Sequence, residues 1–242
     1  MQPSTAPRPS DPPVQRIRLR YAKRGRLRFT SHRDVARSFE RALRAAGVPM
    51  AYSQGFNPHP KVSWIGAAPT GAASEAEYVE IQVVRRLDPE VVRTELNAAL
   101  PAGLDVTQAL ESDGGALADR IEASRWRIEL PGVPAAELRP AAAALMAAAE
   151  VPVEKLTKDG RRTIDARAAL VSAVVEEDEG CCGILSVVVR QVSPAVRPDD
   201  VLSALFVVAG VRPTVPAKAT RTAQGRLDDD GRIVDPFRHV AE

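Results

Sequence analysis

The sequence predicts an α+β fold built from two tandem ferredoxin-like α/β sandwich halves with antiparallel sheets. The first observation is the order of its periodic patterns: strand, helix, strand, strand, helix, strand, which is the order of a ferredoxin-like sandwich. The second observation is that a similar order recurs after a polar joint that contains glycine. A chain of 242 residues is long enough for two domains, each with its own core.

The first half is predicted at residues 16–111 and begins with a strand. The run IRLRY at 17–21 alternates, with apolar side chains on one face and arginines on the other, so we expect a strand with a basic outer face. The elements that follow are predicted at 31–46 (helix), 61–66 and 77–83 (strands), 89–100 (helix) and 103–110 (strand).

The predicted helix at 31–46 separates its apolar and basic residues. Ser31, with Asp34 three residues later, is typical of a capped helix start, and Gly47 predicts the helix end. At 100° per residue the apolar side chains fall on one side of this helix. Four arginines form a stripe on the opposite side: Arg33, Arg37, Arg41 and Arg44.

A linker at 112–124 and a second half at 125–217 complete the predicted fold. The elements of this half are predicted at 125–130 (strand), 135–149 (helix), 151–162 (strand and turn), 167–175 and 183–191 (paired strands), 197–206 (helix) and 211–215 (closing segment). Residues 1–15 are rich in proline and are predicted to be a disordered tail, and residues 218–242 a charged C-terminal tail.

The sequence argues against several classes of protein. No apolar run approaches the roughly 18–20 residues that cross a bilayer, and the N-terminus lacks the apolar segment of a signal peptide. We therefore expect a cytoplasmic protein that does not engage a membrane. The adjacent Cys181 and Cys182 do not make a zinc or iron–sulfur site, and no Gly-Lys-Ser/Thr phosphate loop or dinucleotide fingerprint is present. We expect neither a metal nor a cofactor in this chain.

Positive charge is concentrated near the N-terminus. Eleven lysines and arginines lie between Arg16 and Arg44 against two acids, although the net charge of the whole chain is only +2. A basic surface of this kind predicts a phosphate-bearing partner such as RNA. The alternative is a solvated basic surface that binds nothing.

The junction RFTSHRD at 28–34 is the first candidate site. The start of a helix offers free backbone N–H groups and the positive end of the helix dipole, which favour an anion. Capping alone would also explain Ser31 and Asp34. The residues predicted to bind substrate here are Arg28, Ser31, His32, Arg33 and Arg37.

The loop YSQGFNPHPK at 52–61 is the second candidate site. Two residue–proline pairs stiffen its backbone, and a stiff loop loses little entropy when it holds a ligand. The loop offers aromatic faces for stacking, amides for polar recognition, a histidine and a lysine, although its aromatic residues would also serve to fill the core. The predicted binding residues are Tyr52, Ser53, Gln54, Gly55, Phe56, Asn57, His59 and Lys61.

The two candidate sites together contain the only groups that suggest catalysis. If His32, Asp34 and His59 converge, they would supply general acid–base or metal-assisted chemistry. Two histidines 27 positions apart, without a local pair, carry little specificity for a metal.

The motifs F-x-S-H-x-D, at Phe29 to Asp34, and YSQGFNPHPK resemble those of a bacterial family called radical SAM-linked, or radical SAM-associated, proteins. The resemblance is strongest over residues 16–84. It implies a radical SAM protein as partner and a genetic neighbourhood that includes an RNase E/G-type ribonuclease and ribosomal proteins. This chain resembles the free-standing form, so the iron–sulfur cluster and S-adenosylmethionine would belong to the partner alone.

Three hypotheses of function follow from these observations. The leading one is an accessory module that binds RNA, or another phosphate-bearing substrate, for a separate radical SAM enzyme. The second is an enzyme that uses the two histidines and the aspartate. The third is a module that only docks a partner protein through the loop.

Overall fold

The computed structural model describes residues 11–157, 160–176 and 182–238, which form two compact units that meet in the chain between Ala118 and Asp119. Each unit carries helices on an antiparallel sheet, so the predicted α+β class is confirmed. The first ten residues of the expected N-terminal tail lie outside the described residues, and Gln15 already belongs to a strand. No helix in the described residues is long and apolar enough to cross a membrane.

The first unit has the ferredoxin-like order of elements. They are Gln15–Lys23 (β1), His32–Ala45 (α1), Val62–Ile65 (β2), Ala73–Val83 (β3), Pro89–Ala99 (α2) and Leu104–Glu111 (β4). β1 pairs antiparallel with β3 on one side and with β4 on the other, and β2 pairs with β3. The resulting order β4-β1-β3-β2 is that of a ferredoxin-like sheet.

The core of the first unit lies between the sheet and its helices. Ile17 and Leu19 of β1 are fully buried, and Phe39 and Leu43 of α1 pack in the same cluster. The aromatic ring of Phe39 meets that of Tyr21 at 4.8 Å between centroids. Both apolar faces predicted from periodicity therefore meet in this core.

The expectation of a basic outer face on β1 is wrong for Arg18, which is fully buried. Its Nε donates to Glu80 Oε2 at 3.1 Å, and its terminal nitrogens donate to the Asp113 carboxylate and to the carbonyl oxygens of Gly114 and Gly115. The predicted alternation of the strand is present, but the turn that follows β4 covers its polar face at Arg18.

Two other basic residues of the N-terminal region also have internal partners. Lys23 is buried, and its Nζ lies 3.4 Å from the carbonyl oxygen of Ala68. Arg24 is bound by the carboxylates of Glu75 and Asp105. The basic surface that remains exposed is therefore centred on the arginine stripe of α1.

The second unit repeats the arrangement with an inserted hairpin. Its elements are Ala123–Pro131 (β5), Ala135–Ala147 (α3), Pro152–Thr157 (β6), Gly160–Asp165 (β7), Leu170–Glu176 (β8), Cys182–Arg190 (β9), Pro198–Ala209 (α4), Lys218–Leu227 (β10) and Ile233–Val234 (β11). The order β10-β5-β9-β8 is again ferredoxin-like, and β6 pairs with β7 as a separate two-stranded sheet.

The strand that closes the second sheet is β10 and not residues 211–215. The expectation of a charged tail from residue 218 is therefore wrong for residues 218–227, which form β10; residues 218–225 pair with β5, and residues 226 and 227 pair with β11. The sequence does not predict β10 because the buried positions of this strand are polar or lack a side chain. Arg221 and Gln224 are both buried, and the Arg221 guanidinium lies 4.7 Å from the ring centroid of Trp126.

Replacing Arg18 with alanine should lower the free energy of unfolding by about 3–5 kcal/mol, because Glu80 and Asp113 would lose the buried cation that compensates them. Urea denaturation followed by circular dichroism measures this change. The control is Arg16→Ala in the same strand, whose side chain is 54% exposed and whose loss should cost less than about 1 kcal/mol. Equal costs for the two substitutions would contradict the assignment.

Candidate functional site

The signature loop at residues 52–61 has a closed base and an open tip. Tyr52 and Pro60 form an antiparallel bridge across the base. The backbone N–H of Ser53 donates to the carbonyl oxygen of His59 at 2.9 Å. The two arms of the loop are therefore held together, which fixes the direction in which the tip projects.

A side-chain clamp reinforces the base. Ser53 Oγ accepts a hydrogen bond from the His59 backbone N–H at 3.1 Å and lies 3.0 Å from His59 Nδ1. The same ring nitrogen is 3.4 Å from the carbonyl oxygen of Asn57. Because the loop itself contacts Nδ1, Nε2 is the ring nitrogen left to contact a ligand.

The tip of the loop carries a fully exposed aromatic ring. Phe56 has no shielding from solvent, so the alternative in which it fills the core is wrong. Gly55 next to it has a φ of +131°, a conformation that favours glycine. Tyr52, in contrast, is half-buried and packs against the core of the unit. The exposed ring is therefore available to a ligand or partner at the loop tip.

A groove of about 610 Å³ lies beside the base of the loop, and we call it the loop groove. One wall consists of residues from the C-terminal end of α1 and the segment after it, between Glu40 and Met50, and the loop forms another through Tyr52 and His59. Arg85, just beyond β3, also lines it. All of these residues belong to the first unit.

Two arginines give the loop groove its charge. Arg44 and Arg85 are exposed and, within the described parts of the chain, their guanidinium groups have no hydrogen bond or ion pair. Glu40 is the single acid on the groove wall. A guanidinium presents several donors in a fixed plane, and two of them in one groove suit a phosphate or carboxylate.

The helix junction at Ser31 is mainly a structural cap. Ser31 Oγ accepts from the Asp34 backbone N–H at 3.2 Å and donates to Asp34 Oδ2 at 2.7 Å. This hydroxyl is the main reason that the pKa of Asp34 lies below its ordinary value, and the nearby charges of Arg37 and Arg33 act in the same direction. These contacts account for Ser31 and Asp34 without any ligand.

The structure does not bring the catalytic candidates together. His32 opens α1 and packs edge-on against Trp64 at 5.2 Å between ring centroids, whereas His59 lies at the groove beside Arg44. Along α1, His32 and Arg44 are twelve residues and therefore about 18 Å apart. In the described residues no three His, Cys, Asp or Glu side chains form a group that could hold a metal ion.

The other predicted residues are spread over two surfaces. Gln54 and Asn57 are exposed at the loop tip, and the backbone of Lys61 joins the loop to Ala51 at 2.8 Å. Arg33 and Arg37 are exposed on α1. His239, the third histidine, lies outside the described residues.

Sequence reasoning missed several residues of these surfaces. Arg85 was not singled out because it comes from a part of the chain without any motif. Phe29 is 63% exposed, with the Arg28 guanidinium 4.8 Å from its ring centroid. The run LRF at 27–29 predicts strand alternation, whereas residues Gly25–Phe29 form a short 3₁₀ helix.

The fold and the groove define a two-unit α+β protein with a basic surface site. The chain belongs to the DUF2344 family, described as an uncharacterized protein conserved in bacteria, which it matches over residues 16–198. No curated protein matches the sequence.

Among solved structures, the chain is similar to one in an H/ACA ribonucleoprotein bound to a substrate RNA that contains 2′-deoxyuridine, with 14% identity and a TM-score of 0.39. That match covers 97% of this chain and 57% of the other. The encapsulated DyP-type peroxidase of Mycobacterium smegmatis matches with 11% identity and a TM-score of 0.23, over 92% of this chain and 94% of its own. DyPB from Rhodococcus jostii RHA1 matches with 11% identity and a TM-score of 0.22, over 81% and 84%. Similarities this low carry no inference about function.

Replacing Ser31 with alanine should raise the pKa of Asp34, because the hydroxyl that binds its carboxylate is lost. A pKa lowered by folding stabilises the fold above the unfolded value and loses that effect as the pH falls through the folded value, below about pH 4. NMR titration of the carboxyl group measures the shift. Ser38→Ala on the same helix is the control, and an unchanged pKa in Ser31→Ala would contradict the assignment.

Proposed function

We propose that this chain is an accessory substrate-binding module that holds RNA at the loop groove for a separate radical SAM enzyme. The observation that carries the proposal is the groove itself, which Arg44 and Arg85 line beside Tyr52 and His59 without an ion pair among the described residues. The proposal has two parts, a phosphate-bearing ligand and a partner enzyme, and each rests on its own support.

The phosphate-bearing ligand is supported by charge and shape. Two guanidinium groups against the single carboxylate of Glu40 leave the loop groove positive. Arginine pairs with phosphate through two parallel hydrogen bonds, which fixes orientation as well as attraction. The Nε2 of His59 would add a third contact from the loop wall.

An extended RNA is supported by the surfaces that continue from the groove. The exposed arginines of α1, from Arg33 to Arg44, run for about 16 Å along the helix axis and would contact successive phosphates. Phe56 at the loop tip offers a free face on which a base can stack. Single-stranded RNA is bound by this combination of basic track and aromatic platform.

The burial of Arg18 and Lys23 narrows the proposed surface. Both residues counted toward the basic region in the sequence, but their charges are bound inside the unit. The sheet face of β1 is therefore left out of the proposed RNA site, which keeps to α1 and the loop.

The partner enzyme is supported by the resemblance of the F-x-S-H-x-D and YSQGFNPHPK motifs to radical SAM-linked proteins. In this proposal the iron–sulfur cluster and S-adenosylmethionine belong to the partner, and this chain contributes the bound substrate. Co-purification of the chain with the radical SAM protein encoded beside it, followed by sequencing of the RNA that co-elutes, tests the two parts together.

Replacing both Arg44 and Arg85 with alanine should weaken binding of a single-stranded RNA at least tenfold. The slope of log affinity against log salt concentration should also become less steep, by the contribution of about one phosphate contact. Each contact contributes about 0.7 to the slope of log affinity against log salt. Fluorescence anisotropy of a labelled RNA, measured at several salt concentrations, gives both quantities.

The control for this measurement is the double variant Arg161→Ala and Arg232→Ala, which removes two exposed arginines of the second unit and should bind as the original chain does. No RNA binding by the original chain, or binding that salt does not weaken, would overturn the RNA part. If Phe56→Ala abolished co-purification of the partner while RNA binding stayed unchanged, the loop would be a docking surface for protein instead.

A further inference from the structure

A second groove lies in the second unit, apart from the residues used above. It has a volume of about 850 Å³ and follows α4, with β6 and residues 211–217 as its other walls. We call it the α4 groove. All of its lining residues lie between positions 152 and 217, so one unit forms it completely.

The helix α4 is apolar on two faces. Val201, Ala204 and Leu205 are buried against the rest of the unit. A second face carries Phe206 and Val207, which line the α4 groove while 52% and 55% exposed. A surface helix ordinarily has one apolar stripe, and a helix that is apolar on more sides is usually covered on them. The second face of α4 therefore lacks a covering element in the described part of the chain.

Two opposite charges lie along the α4 groove. Asp199 is in the first turn of α4, and its carboxylate has no ion pair or hydrogen bond among the described residues. Arg212 follows the helix in sequence, and its guanidinium lies 5.6 Å from the ring centroid of Phe206 and has no acidic partner among the described residues. Because Phe206 comes seven helical residues after Asp199, the two charges are about 10 Å apart along the helix axis.

The distance between the two charges suits a short extended occupant. A span of about 10 Å is covered by three to four residues of extended chain but needs about seven residues of helix, so a five-residue extended segment reaches both charges. Five extended residues are close in size to the molecules that such pockets enclose.

We propose that the α4 groove binds a short extended segment of a partner protein, with apolar side chains in its middle, a basic residue toward Asp199 and an acidic residue toward Arg212. The apolar face of α4 supplies the buried contact, and the opposite charges of Asp199 and Arg212 set the direction of the segment. This proposal does not depend on RNA binding at the loop groove.

The test uses the whole chain, labelled with ¹⁵N, and three acetylated peptide amides. The first peptide is Lys-Leu-Ala-Leu-Glu, and the other two carry lysine or glutamate at both ends. NMR titration should show shifts confined to α4 and to residues 211–217, with the mixed-charge peptide binding at least threefold more tightly than either of the others.

Reversing one charge of the groove should reverse this preference. In Arg212→Glu the peptide with two lysines should become the tightest ligand, and the mixed-charge peptide should weaken at least threefold. Arg190→Glu, which makes the same change at an exposed position outside the groove, should leave the order unchanged. Phe206→Ala should weaken all three peptides and leave circular dichroism and the melting temperature close to those of the original chain.

Three results would overturn the proposal: absence of shifts in the groove at millimolar peptide, a ranking of peptides that Arg212→Glu does not alter, and a ranking that Arg190→Glu alters equally. Light scattering adds a fourth. If the chain forms a dimer that Phe206→Asp dissociates, the groove is occupied by a second copy of the chain and not by a partner segment.

Discussion

The buried guanidinium of Arg18 is the constraint on which the first unit depends. A charge without access to water is stable only when acceptors surround it, and here Glu80, Asp113 and two glycine carbonyl oxygens provide them. These acceptors come from β3 and from the turn after β4, so the single side chain of β1 holds both neighbours in place. The network binds the Arg18 charge within the unit, although the sequence predicts that this charge faces solvent. The basic surface of the unit therefore lies on α1.

The position of the signature loop follows from the same sheet. β3 pairs with β1 through Arg18 and Glu80, and on its other side it receives the two ends of the loop. The Ala51 backbone N–H donates to Gln82, and the Gln82 N–H donates to Lys61. Because these bonds fix the base of the loop to β3, the loop and the end of α1 line one groove, and Phe56 at the tip is left in solvent. The loop groove thus results from the hydrogen bonds that hold the base of the loop on β3.

Local patterns predicted the parts of the structure that local forces decide. Both helices of the first unit, the cap at Ser31 and the stiff loop follow from spacing, capping and proline chemistry. Residues brought together from distant parts of the chain were missed. Arg44 and Arg85 line the same groove only because the fold places the end of α1 beside the end of β3. β10 was missed for a related reason, since Arg221 is buried against Trp126, a residue 95 positions away whose contact no local pattern reveals.

The two grooves differ in the chemistry that each can bind. The loop groove is lined by two arginines, Arg44 and Arg85, and by one acid among the described residues, and it favours an anion over an apolar surface. The α4 groove has an apolar wall with Asp199 and Arg212 as charges of opposite sign, and Glu154 on its lining is paired with Arg161, so that the groove carries little net charge and would hold an anion poorly. An apolar strip with one charge of each sign gains free energy mainly by burying a complementary apolar segment, and its charges add direction more than affinity. A module that presents a substrate to another enzyme needs one surface for the substrate and a different one for the enzyme. In the proposed function the loop groove would take the first role, and the α4 groove has the polarity that the second role requires.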